Sequence, residues 1–418
     1  MPTAARGKAG GADHQAPEGI WAGMVAEAAL KDGCGDDGML ERAGQAPGER
    51  LPMPEIVPIH PMRGPNRFKL GVFSANADGG LTLTRVPERW PARWADVVAV
   101  AQMADRAGIE FFLPIARWKG FGGAMNSREW SYETFTYAAA LSGVTERIAL
   151  FSTVHVPMVH PVFAAKAMAT IDHASGGRAG LNIVCGWNPD EFELFGLEMI
   201  DDRYAQGLEW FEVMRRIHAD AGPFDFNGRF YQLKNVSGRP APLQRPRPIV
   251  LNAAFSPPGR DFAARAADYL FTSFTDIDRG RAQFDDMAAR AAATGREVGV
   301  YTTCHVVCRP SQDEAEAYYE HYAVTEQDTV SVDKYMRAKQ TFSGSHDEEA
   351  YRVHRKRFAG GAGTYPLVGT PEHIAREMER IAEAGFAGTT VSFVNFKDEL
   401  PFFIETVLPL LRDAGLRT

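Results

Sequence analysis

An eight-stranded α/β barrel is the fold that the sequence predicts, on three observations. From residue 68 onward, short apolar runs alternate with helix-like segments, the pattern of a parallel sheet wrapped by helices. The runs number eight, as a closed (β/α)8 barrel requires. The turn after the first run reads SANADGG and lacks the GxGxxG with which a doubly wound dinucleotide-binding sheet begins.

The predicted strands are 68–74, 111–114, 148–153, 180–184, 249–252, 269–272, 299–307 and 389–394. Each is a short, mostly apolar run, suited to a strand covered on both faces. Helical composition between them marks 92–106, 132–141, 162–173, 204–218, 260–267, 282–293 and 371–384. The stretch 151–196 holds one complete βαβ unit. A strand ends in a loop with Pro157 and Pro161, an alanine-rich helix follows, Ser175-Gly176-Gly177 stops it, and a second strand ends at Cys185-Gly186-Trp187. Three connections are long, 188–202, 222–248 and 323–368, and long connections in a compact domain are expected to be lids or binding loops. Residues 1–67 are rich in Gly, Ala, Pro and charge. They are expected to be a poorly ordered extension, or even the product of a start assigned upstream of Met62, with the barrel domain at 68–418.

Bulk properties bound the function. With 418 residues and 45% hydrophobic content the chain can bury a large core. A net charge of −8 and the lack of a Lys/Arg run argue against nucleic acid. No apolar run approaches the roughly 20 residues of a membrane span, and no signal-peptide layout begins the chain, so a cytoplasmic location is expected. Four cysteines are too few for a disulfide framework. Cys304 and Cys308 fall on one face of one strand and read as core packing. No HxH pair of strand-end histidines suggests a metal site, and no metal is expected.

Chemistry-bearing residues gather at predicted C-terminal strand ends, where barrels bind ligands. Asn182 sits in an apolar strand and needs a partner, either a neighbouring strand end or a bound ring. Thr153 is either a good strand former or a functional hydroxyl. His155 reads as an acid/base group or as a satisfied structural histidine, and His160, just before Pro161, as structural. Arg117 follows a strand end, where a salt bridge or a ligand contact would explain it equally. The segment 254–260, AFSPPGR, opens a helix after a strand; Ser256 and free backbone N–H groups there suit a phosphate, although Pro257 and Pro258 remove two donors. Trp118, Phe121, Trp130, Trp187 and Phe255 would line an apolar pocket or belong to the core. The run Ala359-Gly360-Gly361-Ala362-Gly363 is either a hinge for a lid or a loose linker.

The order Ser175-Gly176-Gly177-Arg178, Gly180-Leu-Asn182-Ile-Val-Cys-Gly186-Trp187, Asp202-Arg203-Tyr204 and Phe226-Asn-Gly-Arg-Phe-Tyr231 resembles the luciferase-like flavin-dependent monooxygenases over roughly 68–415. Lys119-Gly120-Phe121-Gly122-Gly123 looks most like the pyrimidine monooxygenase branch. Val154-His155 and Tyr365-Pro-Leu-Val-Gly-Thr-Pro371 look more like the dimethyl sulfone branch. The resemblance implies a TIM barrel and FMN used as FMNH2. It also implies a separate NAD(P)H-dependent flavin reductase, O2 and a small organosulfur or cyclic-amide substrate as partners, and a dimer or tetramer. Residue by residue it implies flavin contacts at Ala116, Arg117, Asn182, Glu191, Arg203, Tyr204 and Ser256. Thr153 and Asn182 would line the oxygen-reacting face, His155 would assist proton transfer, and Ile115 and Trp187 would face the substrate. Arg117 departs from the lysine of the pyrimidine branch, and the two cations differ in geometry and hydration. The alternatives are an F420-dependent oxidoreductase on the same fold and a flavin-binding protein without turnover.

Overall fold

The computed structural model describes residues 59–339 and 348–418. The extension expected at 1–67 lies outside the described residues up to 58, as does Cys34. In chain order come β1 (Lys69–Phe73), α1 (Trp94–Ala107), β2 (Phe111–Leu113), α2 (Thr134–Ser142), β3 (Ala149–His155), α3 (Pro161–Ala174), β4 (Ala179–Val184), α4 (Pro189–Leu194) and α5 (Arg203–Ala219). There follow the hairpin β5 (Phe224–Asn227) and β6 (Gln232–Val236), then β7 (Ile249–Ala253), α6 (Pro257–Ala266), β8 (Tyr269–Phe271), α7 (Ile277–Ala293) and β9 (Gly299–Cys308). The chain ends with α8 (Gln312–Glu320), α9 (Thr329–Ala338), α10 (Glu348–Gly361), β10 (Tyr365–Gly369), α11 (Pro371–Glu383), β11 (Gly388–Ser392) and α12 (Phe396–Asp413).

Strands β11, β1, β2, β3, β4, β7, β8 and β9 pair in parallel in that order, and β9 closes the barrel on β11. All eight predicted strands are present, with ends shifted by a residue or two. Strand β10 adds to the distal half of β9, at Cys304 to Cys308. Local sequence sets the helix starts. Proline occupies the first turn of α3, α6 and α11, and Ser256 and Thr370 cap the latter two.

The long connections are structured rather than bare loops. The first carries α4, the second the β5–β6 hairpin, and the third α9, α10 and β10. These pieces pack onto the barrel. Leu83, Val86, Phe121, Tyr319, Tyr322, Tyr335, Phe358 and Val394 form a second buried cluster over the C-terminal end. The Gly360-Gly361 pair ends α10. A Cβ on either would run into the Tyr319 ring or the His305 imidazole, so the glycines allow close packing.

The barrel floor is aromatic. Inward-facing Phe111, Phe151 and Tyr301 cluster with Leu113, Ile249, Leu251, Phe271 and Met62. Phe111 meets Phe151 and Tyr301 edge to face at 5.8 and 5.4 Å. Gly71, Gly180 and Gly388 leave the space for these rings, since a Cβ there would overlap Phe111, Phe151 and Tyr301 respectively. Outward neighbours such as Phe112, Leu150, Leu181 and Ile183 pack against the helices, with Cys304 and Cys308 among them, as expected. The domain boundary expected at 67/68 moves upstream: His60 and Met62 are buried, and Met62 seals the floor.

Candidate active site at the barrel mouth

Alternation along β3 decides what reaches the mouth. Ala149 and Phe151 point into the floor, and the next inward positions are Thr153 and His155, both buried. Register pairs Thr153 with Asn182 of β4. Thr153 Oγ1 donates to the Pro114 carbonyl at 2.6 Å and accepts from Asn182 Nδ2 at 3.3 Å. Asn182 Oδ1 is buried with no partner. A neighbouring strand end therefore satisfies only half of the amide.

The first turn of α4 brings Glu191 against the end of β2. Its side chain is 1% exposed, and Oε1 accepts from Arg117 Nη1 at 2.9 Å and from the Trp118 N–H at 3.0 Å. His155 Nδ1 lies 3.7 Å from Glu191 Oε2 without a hydrogen bond. Burial, reinforced by Arg117 and Lys339, pushes the imidazole pKa down to about 3. The carboxylate is already engaged by Arg117 and does not offset that cost, so His155 is neutral at neutral pH. The salt-bridge reading of Arg117 holds through Nη1, while its buried Nε is unpartnered.

A second group sits where β7 runs into α6. Ser256 Oγ accepts from the Gly259 N–H at 3.3 Å and lies 3.1 Å from the Tyr204 hydroxyl. The Arg203 guanidinium stacks 5.3 Å over the Tyr204 ring, and its Nε is buried without a partner. The first-turn backbone donors of α6 itself are missing or taken. Pro257 and Pro258 have no N–H, and the Gly259 and Arg260 N–H groups are taken by Ser256 Oγ and O. Ala116 is buried and Ile115 half-buried; the Ile115 peptide is held from both sides by Asn76, at 2.8 and 2.9 Å.

The sequence profile of the luciferase-like monooxygenases matches residues 68–388. The chain belongs to the luciferase-like monooxygenases. It is 30% identical over 356 residues to an FMNH2-dependent dimethylsulfone monooxygenase of Pseudomonas putida, covering 83% of this chain and 96% of that one. It is 29% identical over 362 residues to pyrimidine monooxygenase RutA of a Bradyrhizobium species, covering 83% and 98%. The crystal structure of DmoA from Hyphomicrobium sulfonivorans has the same fold, with a TM-score of 0.75, 20% identity, and 84% and 89% coverage.

In this luciferase-like monooxygenase the mouth also holds residues that sequence reading passed over. Arg128, in a positive-φ conformation, is fully buried; Nε and Nη2 donate to the Gly80 and Leu81 carbonyls at 2.9 and 2.7 Å, while Nη1 has no partner. Tyr335 and Lys339 come from α9 and the residue capping it. Nothing in the weakly patterned 323–368 segment marks them. Lys339 Nζ lies 3.8 Å over the Trp187 ring. The expected aromatic cluster divides. Phe121 and Trp187 line the wall beside Tyr335, whereas Trp118, Trp130 and Phe255 are 41%, 65% and 53% exposed. His160 caps α3 through its Nδ1, a structural role as expected. A cavity lined by Arg216, Asp220 and Phe224 lies at the C-terminal end of α5, the opposite end from Arg203 and Tyr204. Among the described residues no group of His, Cys, Asp or Glu side chains is placed to hold a metal ion, and no helix is long and apolar enough to cross a membrane.

Proposed function

We propose that the protein is an FMNH2-dependent monooxygenase that passes one atom of O2 to a small organosulfur compound or cyclic amide. A separate NAD(P)H-dependent flavin reductase would provide the reduced flavin. The observation that carries this reading is a set of buried polar atoms without partners around one barrel mouth: Asn182 Oδ1, Arg117 Nε, His155 Nδ1 and Arg203 Nε. Each would cost roughly 1–3 kcal/mol if left unsatisfied, and a polar heterocycle with a phosphate tail meets them all. The residues present therefore fit FMN.

Reduced FMN supplies two electrons to O2, so that one oxygen atom enters the substrate and the other leaves as water. Arg203, Tyr204 and Ser256 would hold the phosphate through side chains. Arg117, fixed by Glu191, and Asn182 would hydrogen-bond the ring, and Ala116 would pack against it. Thr153 keeps Asn182 oriented by accepting from its amide. His155, neutral and buried, would act as a hydrogen-bonding group and not as an imidazolium acid. Ile115 and Trp187 would face the substrate, and the cap cluster over the mouth excludes water.

The test is anaerobic titration with FMNH2, followed by rapid mixing with O2 and a sulfone or cyclic amide, with oxygenated product counted per FMNH2 oxidised. Tight FMNH2 binding and substrate-dependent product are expected. Failure to bind FMNH2 sinks the reading in favour of F420, and binding with no product sinks it in favour of a flavin carrier.

A further inference from the structure

The turn after β1, Ser74-Ala75-Asn76-Ala77-Asp78-Gly79-Gly80, is fixed in three places. Trp90 Nε1 donates to the Ala75 carbonyl at 2.9 Å, the Tyr132 N–H to the Asn76 carbonyl at 3.1 Å, and the Asp78 N–H to the Trp130 carbonyl at 2.9 Å. The Asn76 side chain is thereby held, wholly buried, against the end of β2. Its amide works as a second peptide. Oδ1 accepts from the Ile115 N–H at 2.8 Å, and Nδ2 donates to the Ile115 carbonyl at 2.9 Å and to the Tyr132 carbonyl at 3.2 Å.

The backbone beside it is paired on both sides of one gap. The Pro114 carbonyl accepts from Thr153 Oγ1 at 2.6 Å, and both polar groups of Ile115 go to Asn76. Beyond the gap, the Arg117 carbonyl accepts from Ser131 Oγ at 2.7 Å and the Trp118 N–H donates to Glu191 Oε1 at 3.0 Å. Between them, the Ala116 N–H, the Ala116 carbonyl and the Arg117 N–H have no hydrogen-bond partner among the described residues. Ala116 and Arg117 are both buried, and backbone groups of buried residues are rarely left unpaired.

We infer that Asn76 is a positioning residue, which pins Ile115 so that the next peptide, between Ala116 and Arg117, offers its carbonyl and N–H to the polar edge of the flavin ring. The edge of that ring alternates carbonyl acceptors with N–H donors, the complement of an unpaired backbone. The inference rests on the FMN reading for the identity of the ring. A merely structural Asn76 would make the same three bonds, but the groups at 116 and 117 would then stay unpaired with FMN bound.

The first readout uses the unaltered full chain. Hydrogen exchange resolved to single amides should show the Ile115 N–H protected with and without FMN, and the Ala116 and Arg117 N–H groups at least about tenfold slower with FMN. Unchanged exchange at 116 and 117 in protein that binds FMN overturns the inference. Asn76→Ala is then compared with Gln244→Ala. The latter removes a buried amide that bonds Asp172 Oδ1 and the Ala179 carbonyl, at 2.6 and 2.7 Å, at the start of β4 and away from the mouth. Both variants should melt at lower temperature. Only Asn76→Ala should weaken FMNH2 binding, by about ten- to a hundredfold, and shift the visible absorption bands of bound FMN. Asn76→Asp, which keeps an acceptor for the Ile115 N–H, should bind with intermediate affinity. Equal FMNH2 affinity in Asn76→Ala and Gln244→Ala overturns the inference, and if Asn76→Ala does not fold, Asn76→Asp and the exchange data decide by the same criteria. If the unaltered chain binds no FMNH2, the monooxygenase reading falls and takes the inference with it, whereas binding without the exchange and affinity changes strikes the inference alone.

Discussion

The floor and the mouth of the barrel are built from the same strands and solve opposite problems. At the floor, Phe111, Phe151 and Tyr301 pack ring against ring in space that glycines leave open, and close packing of apolar groups is the source of stability there. Two residues further along β3, Thr153 and His155 stand where the mouth begins, beside polar atoms that the fold leaves unpaired. Tyr301 Oη at the floor is also unpartnered, but it is one polar atom on a packed ring, whereas the mouth gathers several from different strands and loops. The contrast teaches that period-two alternation can switch a strand from supporting the fold to serving a ligand within one inward step.

The comparison breaks most readily at the floor. Phe151→Ala should cost roughly 3–5 kcal/mol of stability, by opening a cavity that the neighbouring rings cannot fill, as read by chemical denaturation. At the mouth, Asn182→Ala should cost less than about 1 kcal/mol of stability, because Oδ1 makes no internal bond, while lowering FMNH2-dependent turnover about 100-fold. Equal loss of stability in the two variants would show that the mouth is structural.

Acid sharpens the comparison next. His60 beneath the floor and His155 in the mouth both have pKa values lowered from 6.5 to about 3, by burial first and by nearby arginines second. Between those limits the unfolded chain binds protons that the folded chain refuses, so stability falls as pH drops from 6.5 towards 3. Each histidine contributes a slope of about 1.4 kcal/mol per pH unit. His60→Asn should remove its share of the slope with or without FMN, and the share of His155 should change when FMN is bound, as thermal melts over that pH range would show. The smallest effect is expected for Ser256→Gly. Loss of the cap should cost only a few tenths of a kcal/mol, yet equilibrium titration should show FMN bound about tenfold more weakly.

Eight strands and most of their helices were legible in the chain because each depends on local pattern: an apolar run, a cap, a proline in a first turn. The βαβ unit at 151–196 was legible too, but the pairing of Thr153 with Asn182 is a matter of strand register that came with the structure. Other features depend on distant partners. Ser256 takes the Gly259 and Arg260 N–H groups of α6, and His305 and Tyr319 come to lie against Gly360-Gly361. Arg128, Tyr335 and Lys339 belong to a wall that exists only once the 323–339 segment folds back over the mouth, more than 200 positions from Arg117 and Phe121 in the case of Tyr335 and Lys339. The sequence by itself determined the barrel and the chemistry of its strand ends, because periodicity and capping act within a few residues. Only the tertiary structure decided which polar atoms were left unpaired and where positive charge accumulated, because burial and electrostatics depend on what the rest of the chain brings alongside.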